Sequence, residues 1–228
     1  MANTRPTPGA PNATGREDGL AWARFEPEGT PTGGVLILHG AGSQKENHYE
    51  IAREMTASGL AAICFDQRGH GESDGPMDGR IVSDAVTIAS LFDHLPVGIR
   101  GSSMGGWVTL ASAEEIGAKA LVPICPTTAA QLTLGAEAGY FQFEADVPAL
   151  VNRLAEGEPA APIVPTLLLH AAGDEIVSVE RSRELAPLLA HPESRYIEFP
   201  GGHHRSLQHD PEVTALTVNY LRQHLAGA

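Results

Sequence analysis

Basic residues are scarce in this chain: 15 Lys and Arg stand against 28 Asp and Glu, for a formal net charge of −13. That balance excludes a phosphate-binding surface, which needs clustered lysine and arginine, so no nucleic-acid partner is expected. The same charge disfavours docking on anionic membranes and long-range capture of anionic substrates. It reads instead as surface carboxylate that keeps the protein soluble. Cysteine is equally sparse. Cys64 and Cys125 each lie inside an apolar run and read as buried thiols, with no disulfide framework. Neither belongs to a Cys-x-x-Cys pair that would begin a zinc knuckle.

Long hydrophobic runs are missing too. No stretch approaches the ~18 apolar residues of a membrane span, and the first residues lack the apolar core of a secretory signal. No membrane partner and a cytoplasmic location are therefore expected. There is no internal repeat, and the only compositionally biased stretch is the opening, rich in Pro, Gly, Asn and Thr. Residues 1–18 are expected to form a disordered tail before one domain over 19–228, since this length suits a single core.

From Gly33 onward, short apolar runs alternate with longer segments of helical spacing. The runs are Val35–Leu38, Leu60–Phe65, Val97–Arg100, Ala120–Ile124, Thr166–His170 and Arg195–Phe199. Between them, Ile81, Ala85, Ile88, Leu91 and Phe92 make one apolar stripe, and Leu185, Leu188 and Leu189 another. Continuous apolar strands separated by helices predict an α/β fold: a mostly parallel sheet buried on both faces by right-handed crossover helices. Gly19–Glu28 reads as one or two antiparallel edge strands ahead of it. The pattern weakens over 127–161, too long for a plain connection, and a short cap insertion is expected there.

Chemistry enters at the segment around Gly101-Ser102-Ser103-Met104-Gly105, a G-x-S-x-G sequence between an apolar run and an amphipathic one. A serine on a sharp strand-to-helix turn occupies strained backbone, and its neighbours must lack Cβ atoms that would collide with adjacent elements. Ser103 is the nucleophile candidate; Ser102 has the wrong flanks. His39-Gly40-Ala41-Gly42 follows the first apolar strand, where acyl-transfer enzymes place one backbone donor for the oxyanion. The donors expected are the amides of Ala41 and Met104, with His39 packing beneath the site.

A serine hydroxyl needs a base, and a histidine base needs a carboxylate to hold its tautomer. Asp174 follows the strand run Thr166–His170 at its C-terminal end, where parallel sheets present functional groups; Glu175 is the fallback acid. After the last strand come His203 and His204, which a turn sends in different directions. His204 is favoured as the base and His203 is the alternative. A metal site from His203, His204 and His209 is disfavoured, because adjacent ligands need an awkward turn and no carboxylate cluster completes the set. No metal and no cofactor are expected.

With Ser103, Asp174 and His203/His204 in this chain order, the sequence resembles the α/β-hydrolase family from about Gly19 to Leu225. Cys64–Gly75 is similar to the family's D-x-R-G-x-G-x-S loop, which implies architectural roles for Asp66, Arg68, Gly69, Gly71 and Ser73. Pro200-Gly201-Gly202-His203-His204-Arg205 resembles the family's closing motif best with His204 as base. The resemblance is to the compact esterase-like and peptidase-like branch, and it implies two-step acyl transfer. The expected substrate is a small carboxylic ester, with a thioesterase, small peptidase or perhydrolase as alternatives on the same machinery. An alternative of another class is a noncatalytic ligand-binding module on this scaffold. Leu132, Leu134, Tyr140, Phe141, Phe143 and Met104 are expected to line an apolar pocket, and the sequence sets no oligomeric state.

Overall fold

A computed structural model of the protein describes residues 9–227. Eight strands form one sheet: β1 (Ala13–Glu17), β2 (Leu20–Phe25), β3 (Gly34–Leu38), β4 (Ala61–Phe65), β5 (Val97–Ser102), β6 (Ala120–Ile124), β7 (Leu167–Ala171) and β8 (Arg195–Phe199). Their spatial order is β1-β2-β4-β3-β5-β6-β7-β8. From β4 onward across the sheet every pairing is parallel, while β1 and β2 join antiparallel at one edge. This is the α/β-hydrolase architecture.

Alternation along the strands sorts the core into two layers, because successive side chains leave opposite faces of the sheet. Leu36, Leu38, Ile63, Ile99 and Leu121 face one layer, packed against α2 (Ile81–Ala89) and α3 (Met104–Ile116). Val35, Ile37, Ala62, Val122 and Leu169 face the other, packed against α1 (Tyr49–Ala57) and α7 (Pro211–Leu225). Two covered faces explain why the parallel strands read as uninterrupted apolar runs.

Over 127–161 the chain forms α4 (Ala129–Glu137) and α5 (Val147–Leu154), which bury Leu132, Ala136, Leu150 and Leu154 in the first layer. The linker between them is stitched down at Met77, whose N–H donates to Glu144 O while its carbonyl accepts from Asp146 N, each at 2.8 Å.

Two expectations are corrected. Residues 13–17 are a strand and no part of a disordered tail: β1 pairs with β2 from Ala13↔Arg24 to Glu17↔Leu20 around a turn at Asp18-Gly19. An edge strand is held by backbone hydrogen bonds and shows little side-chain pattern, so composition hid it. Residues 1–8 of the expected tail lie outside the described residues. The second apolar stripe also breaks: α6 (Glu180–Leu185) ends in a 3₁₀ turn containing Pro187, and Leu188 is exposed. Proline cannot donate to the helix ladder, which turns that leucine away from the core.

Candidate active site

Ser103 stands between the end of β5 and the start of α3 with φ +55° and ψ −117°. A left-handed φ in a non-glycine residue costs on the order of 1–3 kcal/mol and needs surrounding structure to hold it. Its amide donates to Ile124 O on β6 at 2.9 Å, and its carbonyl accepts from Trp107 N and Thr127 N at 3.1 and 3.2 Å. The flanking glycines allow the turn to close. A Cβ on Gly101 would run into Gly105 O and Thr109, and one on Gly105 into the carbonyls of Leu38 and His39.

The His39–Gly42 loop passes directly over this turn. A Cβ on Gly40 would lie 3.3 Å from both Ser103 Cβ and Ser102 O. Within the loop, the Gly42 amide is committed to His70 Nε2 at 3.1 Å. The amides of Ala41 and Met104 have no acceptor among the described residues. His39 is buried beneath the loop. Its Nε2 accepts from Gln67 N at 3.0 Å, so its Nδ1 carries the proton and donates to Gly40 O at 2.9 Å. Burial, reinforced by His70, pulls its pKa down to about 4 and keeps it neutral.

Across the site, Asp174 lies in the turn after β7 with its side chain fully buried. Oδ1 accepts from Ile176 N and Val177 N at 2.9 and 2.8 Å, and Oδ2 faces His204 Nδ1 at 2.7 Å. His170 Nε2 donates to Val177 O at 3.0 Å and stands 3.4 Å from Asp174 Oδ2. Burial acts to raise the Asp174 pKa, but the His170 ring beside it and hydrogen bonds from His204, Val177 and Ile176 outweigh it and hold the carboxyl well below the usual range.

The geometry separates the alternatives. His203 is exposed, and its Nδ1 accepts from Arg205 N within its own turn at 3.3 Å. Glu175 binds the backbone of the histidine loop, accepting from His204 N at 3.2 Å. The structure thus brings His204 to Asp174. Ser103 Oγ has no hydrogen-bond partner among the described residues, whereas Ser102 Oγ donates to Gln208 Oε1 at 2.9 Å. Catalytic hydrogen bonds to a serine are often made only once substrate is bound.

His203, His204 and His209 do not converge as ligands. The group among the described residues that comes together is Cys125, Asp174 and His204, with ligand atoms within 4.8 Å of one another. Burial pushes the Cys125 thiol up to about 12, so it stands there as a neutral thiol.

The expected apolar pocket is redrawn. A cleft of about 590 Å³ lies between the 69–75 loop and the linker after α4, lined by His70, Ser73, Phe141, Phe143, Glu144 and glycine backbone. Phe141 stacks on Phe143 at 4.8 Å, and Phe143 lies 4.2 Å from the His70 ring. Leu134 is exposed and Leu132 is in the core, because α4 turns only one side to the sheet layer, and Tyr140 in the linker after α4 is exposed as well. Asp66 behaves as architecture, accepting from Lys45 N, Lys45 Nζ and Glu72 N, and Arg68 pairs with Asp84 and Asp18. Sequence reasoning missed His70, His170 and Gln208. A histidine inside the glycine-rich 66–75 loop was the one visible signal.

Comparison with known proteins agrees with this architecture. The family described as serine aminopeptidase, S33, matches residues 29–154. Monoglyceride lipase from Homo sapiens is 32% identical over 102 residues, 40% of this chain and 33% of that protein. Monoacylglycerol lipase from Mycolicibacterium smegmatis is 31% identical over 96 residues, 38% of this chain and 34% of that one. The chain thus spans about a third of these relatives' length. Among solved structures, monoacylglycerol lipase from Paleococcus ferrophilus superposes with a TM-score of 0.73 at 20% identity, covering 90% of this chain and 99% of the other. Est1E from Butyrivibrio proteoclasticus, solved with ferulic acid, gives 0.72 at 21% identity over 94% and 99%. At these identities the structural likeness speaks to the fold.

Proposed function

The chain belongs to the serine aminopeptidase S33 family of α/β hydrolases, and we propose that it hydrolyses small carboxylic esters by two-step acyl transfer at Ser103. The observation that carries this reading is the buried Asp174 carboxylate bonded at 2.7 Å to His204 Nδ1. A carboxylate can only accept, so Nδ1 keeps the proton and Nε2 is left free as a base. The strained backbone at Ser103 and the two unoccupied amides support the same reading. So do the monoglyceride lipases among the relatives, since a monoglyceride is a carboxylic ester.

In this mechanism His204 Nε2 takes the proton from Ser103 Oγ as the oxygen attacks the ester carbonyl. The Ala41 and Met104 amides receive the oxyanion; each such donor is worth roughly 10²–10³ in rate. Collapse breaks the ester C–O bond, and the imidazolium returns its proton to the leaving alcohol. An acyl-Ser103 ester remains. Water then attacks that ester with His204 again as base, releasing the acid and restoring the serine. Asp174 holds the ring throughout, and the same groups could serve thioester, peptide or peracid chemistry.

The test is hydrolysis of p-nitrophenyl acetate, butyrate and octanoate by the wild type and by Ser103→Ala, with labelling by a serine-directed fluorophosphonate. Activity and label that vanish together in the variant are expected. A wild type that neither hydrolyses nor labels would replace this reading with a noncatalytic ligand-binding role. Equal hydrolysis by both proteins would remove Ser103 from the chemistry.

A further inference from the structure

The loop carrying His204 is anchored from two sides, and the anchors do different work. On the β7 side, Gly173 N donates to Gly201 O at 3.1 Å, Glu175 accepts from His204 N, and Asp174 takes the ring itself. These contacts fix the base relative to the acid. The β5–β6–β7 ladder places Asp174 relative to Ser103, but these contacts do not set how closely the histidine loop itself approaches β5.

One residue crosses to that strand. Arg100 Nη2 donates to the Gln208 carbonyl at 2.9 Å, and Ser102 Oγ donates to Gln208 Oε1 at 2.9 Å. Arg100 and Ser102 are two apart on β5 and so project from the same face. Among the described residues, these are the hydrogen bonds that link the 200–210 loop to β5. Just beyond, Asp210 caps α7 by accepting from Glu212 N and Val213 N at 2.9 and 3.0 Å, so Gln208 sits between the base and a fixed helix start.

The donors are unusual in their setting. Arg100 is 1% exposed, its Nε is unpartnered, and no carboxylate lies within ion-pair distance of it among the described residues. A buried guanidinium without a counter-charge is costly. A carbonyl oxygen is then among the few stabilising partners open to it, which makes its bond to the Gln208 backbone hard to give up. Ser102 is 5% exposed and precedes the nucleophile, so its bond transmits any shift of Gln208 directly to the elbow.

We propose that Gln208 is a positioning residue that sets His204 against Ser103 by tying the base loop to the nucleophile strand through Ser102 and Arg100. The inference rests on the catalytic reading above. It predicts that the register between base and nucleophile depends on the Gln208 side chain, while that between base and acid does not.

The experiment measures kcat, KM and the second-order rate of fluorophosphonate labelling, with Tm as a control, for wild type, Gln208→Ala, Gln208→Glu, Ser102→Ala and the Ser102/Gln208 double alanine variant. Gln208→Ala is expected to lower kcat and labelling about ten- to a hundredfold, the cost of a small misplacement of reacting groups, with KM within about twofold. Gln208→Glu keeps the acceptor oxygen and adds a charge opposite to that of Arg100, so it should restore most of the rate. Ser102→Ala should mimic Gln208→Ala, and the double variant should lose no more than either alone. If Gln208→Ala does not fold, Ser102→Ala and Gln208→Glu carry the comparison. An active, labelled wild type with undiminished Gln208→Ala or Ser102→Ala kinetics overturns this inference alone. So does a loss that merely follows Tm without rescue by glutamate. A wild type that is neither active nor labelled overturns the catalytic reading, and this inference with it.

Discussion

At Asp174, burial and hydrogen bonding pull in opposite directions, and bonding wins. The carboxyl is fully buried, yet three hydrogen-bond donors and the neighbouring His170 ring hold its pKa well below the usual range, so it stays ionised wherever a histidine base can work. Asp174→Asn preserves shape but would favour the His204 tautomer with the proton on Nε2, facing the serine. We expect kcat to fall by roughly 10³–10⁴ with KM little changed, measured on a p-nitrophenyl ester. The ionised carboxyl also stabilises the fold. Because its folded pKa is depressed, that contribution is fully present above about pH 4, the unfolded value, and is lost as pH falls through the folded one. The Tm gap between wild type and Asp174→Asn should therefore be widest near neutrality and narrow below pH 4.

Elements meet most tightly where β3, β5 and α3 converge on the elbow. The helix can begin beside β3 only because position 105 has no Cβ, which would strike the carbonyls of Leu38 and His39 just ahead of the His39–Gly42 loop. Those are backbone atoms and cannot rotate away. Gly105→Ala should cost about 2–3 kcal/mol and lower Tm by roughly 5–10 °C in a calorimetric scan, with a loss of activity beyond the fraction unfolded. Undiminished Tm would mean that α3 can retreat from β3 freely. The same scale shows what patterning conveys poorly. The stripe through Leu185 and Leu189 looked like one helix, but Pro187 divides it.

For the whole molecule, the interior holds several histidines beside its few buried ion pairs. His39, His48 and His70 are all buried, and in each case burial is the largest cause of a lowered pKa. Each stays neutral in the folded state at a pH where the unfolded chain is protonated. Stability should accordingly be greatest above about pH 6.5, the unfolded histidine value, and decline as pH falls toward about 4, where His39 itself titrates. Urea unfolding at several pH values should show it, with a shallower slope in His39→Gln. An equal slope in that variant would shift the load to the other two histidines.

Much of this molecule could be read without its structure. Apolar runs on a buried parallel sheet, glycines around Ser103, and the order Ser103, Asp174, then a histidine pair are local features, written by near neighbours in the chain. The choice between His203 and His204 is not local, because ring direction in a turn is decided by a carboxylate 30 residues away. Nor is the choice of Asp174 over Glu175, which depends on where the turn after β7 points each side chain. The tie from Gln208 to Ser102 and Arg100 joins residues 106 and 108 apart. The β1 edge rests on backbone pairing that side chains barely record. Local periodicity and steric need therefore determined the fold class and singled out Ser103 as the nucleophile candidate, while partners, tautomers and the placement of the histidine loop arose only when distant strands and loops came into contact.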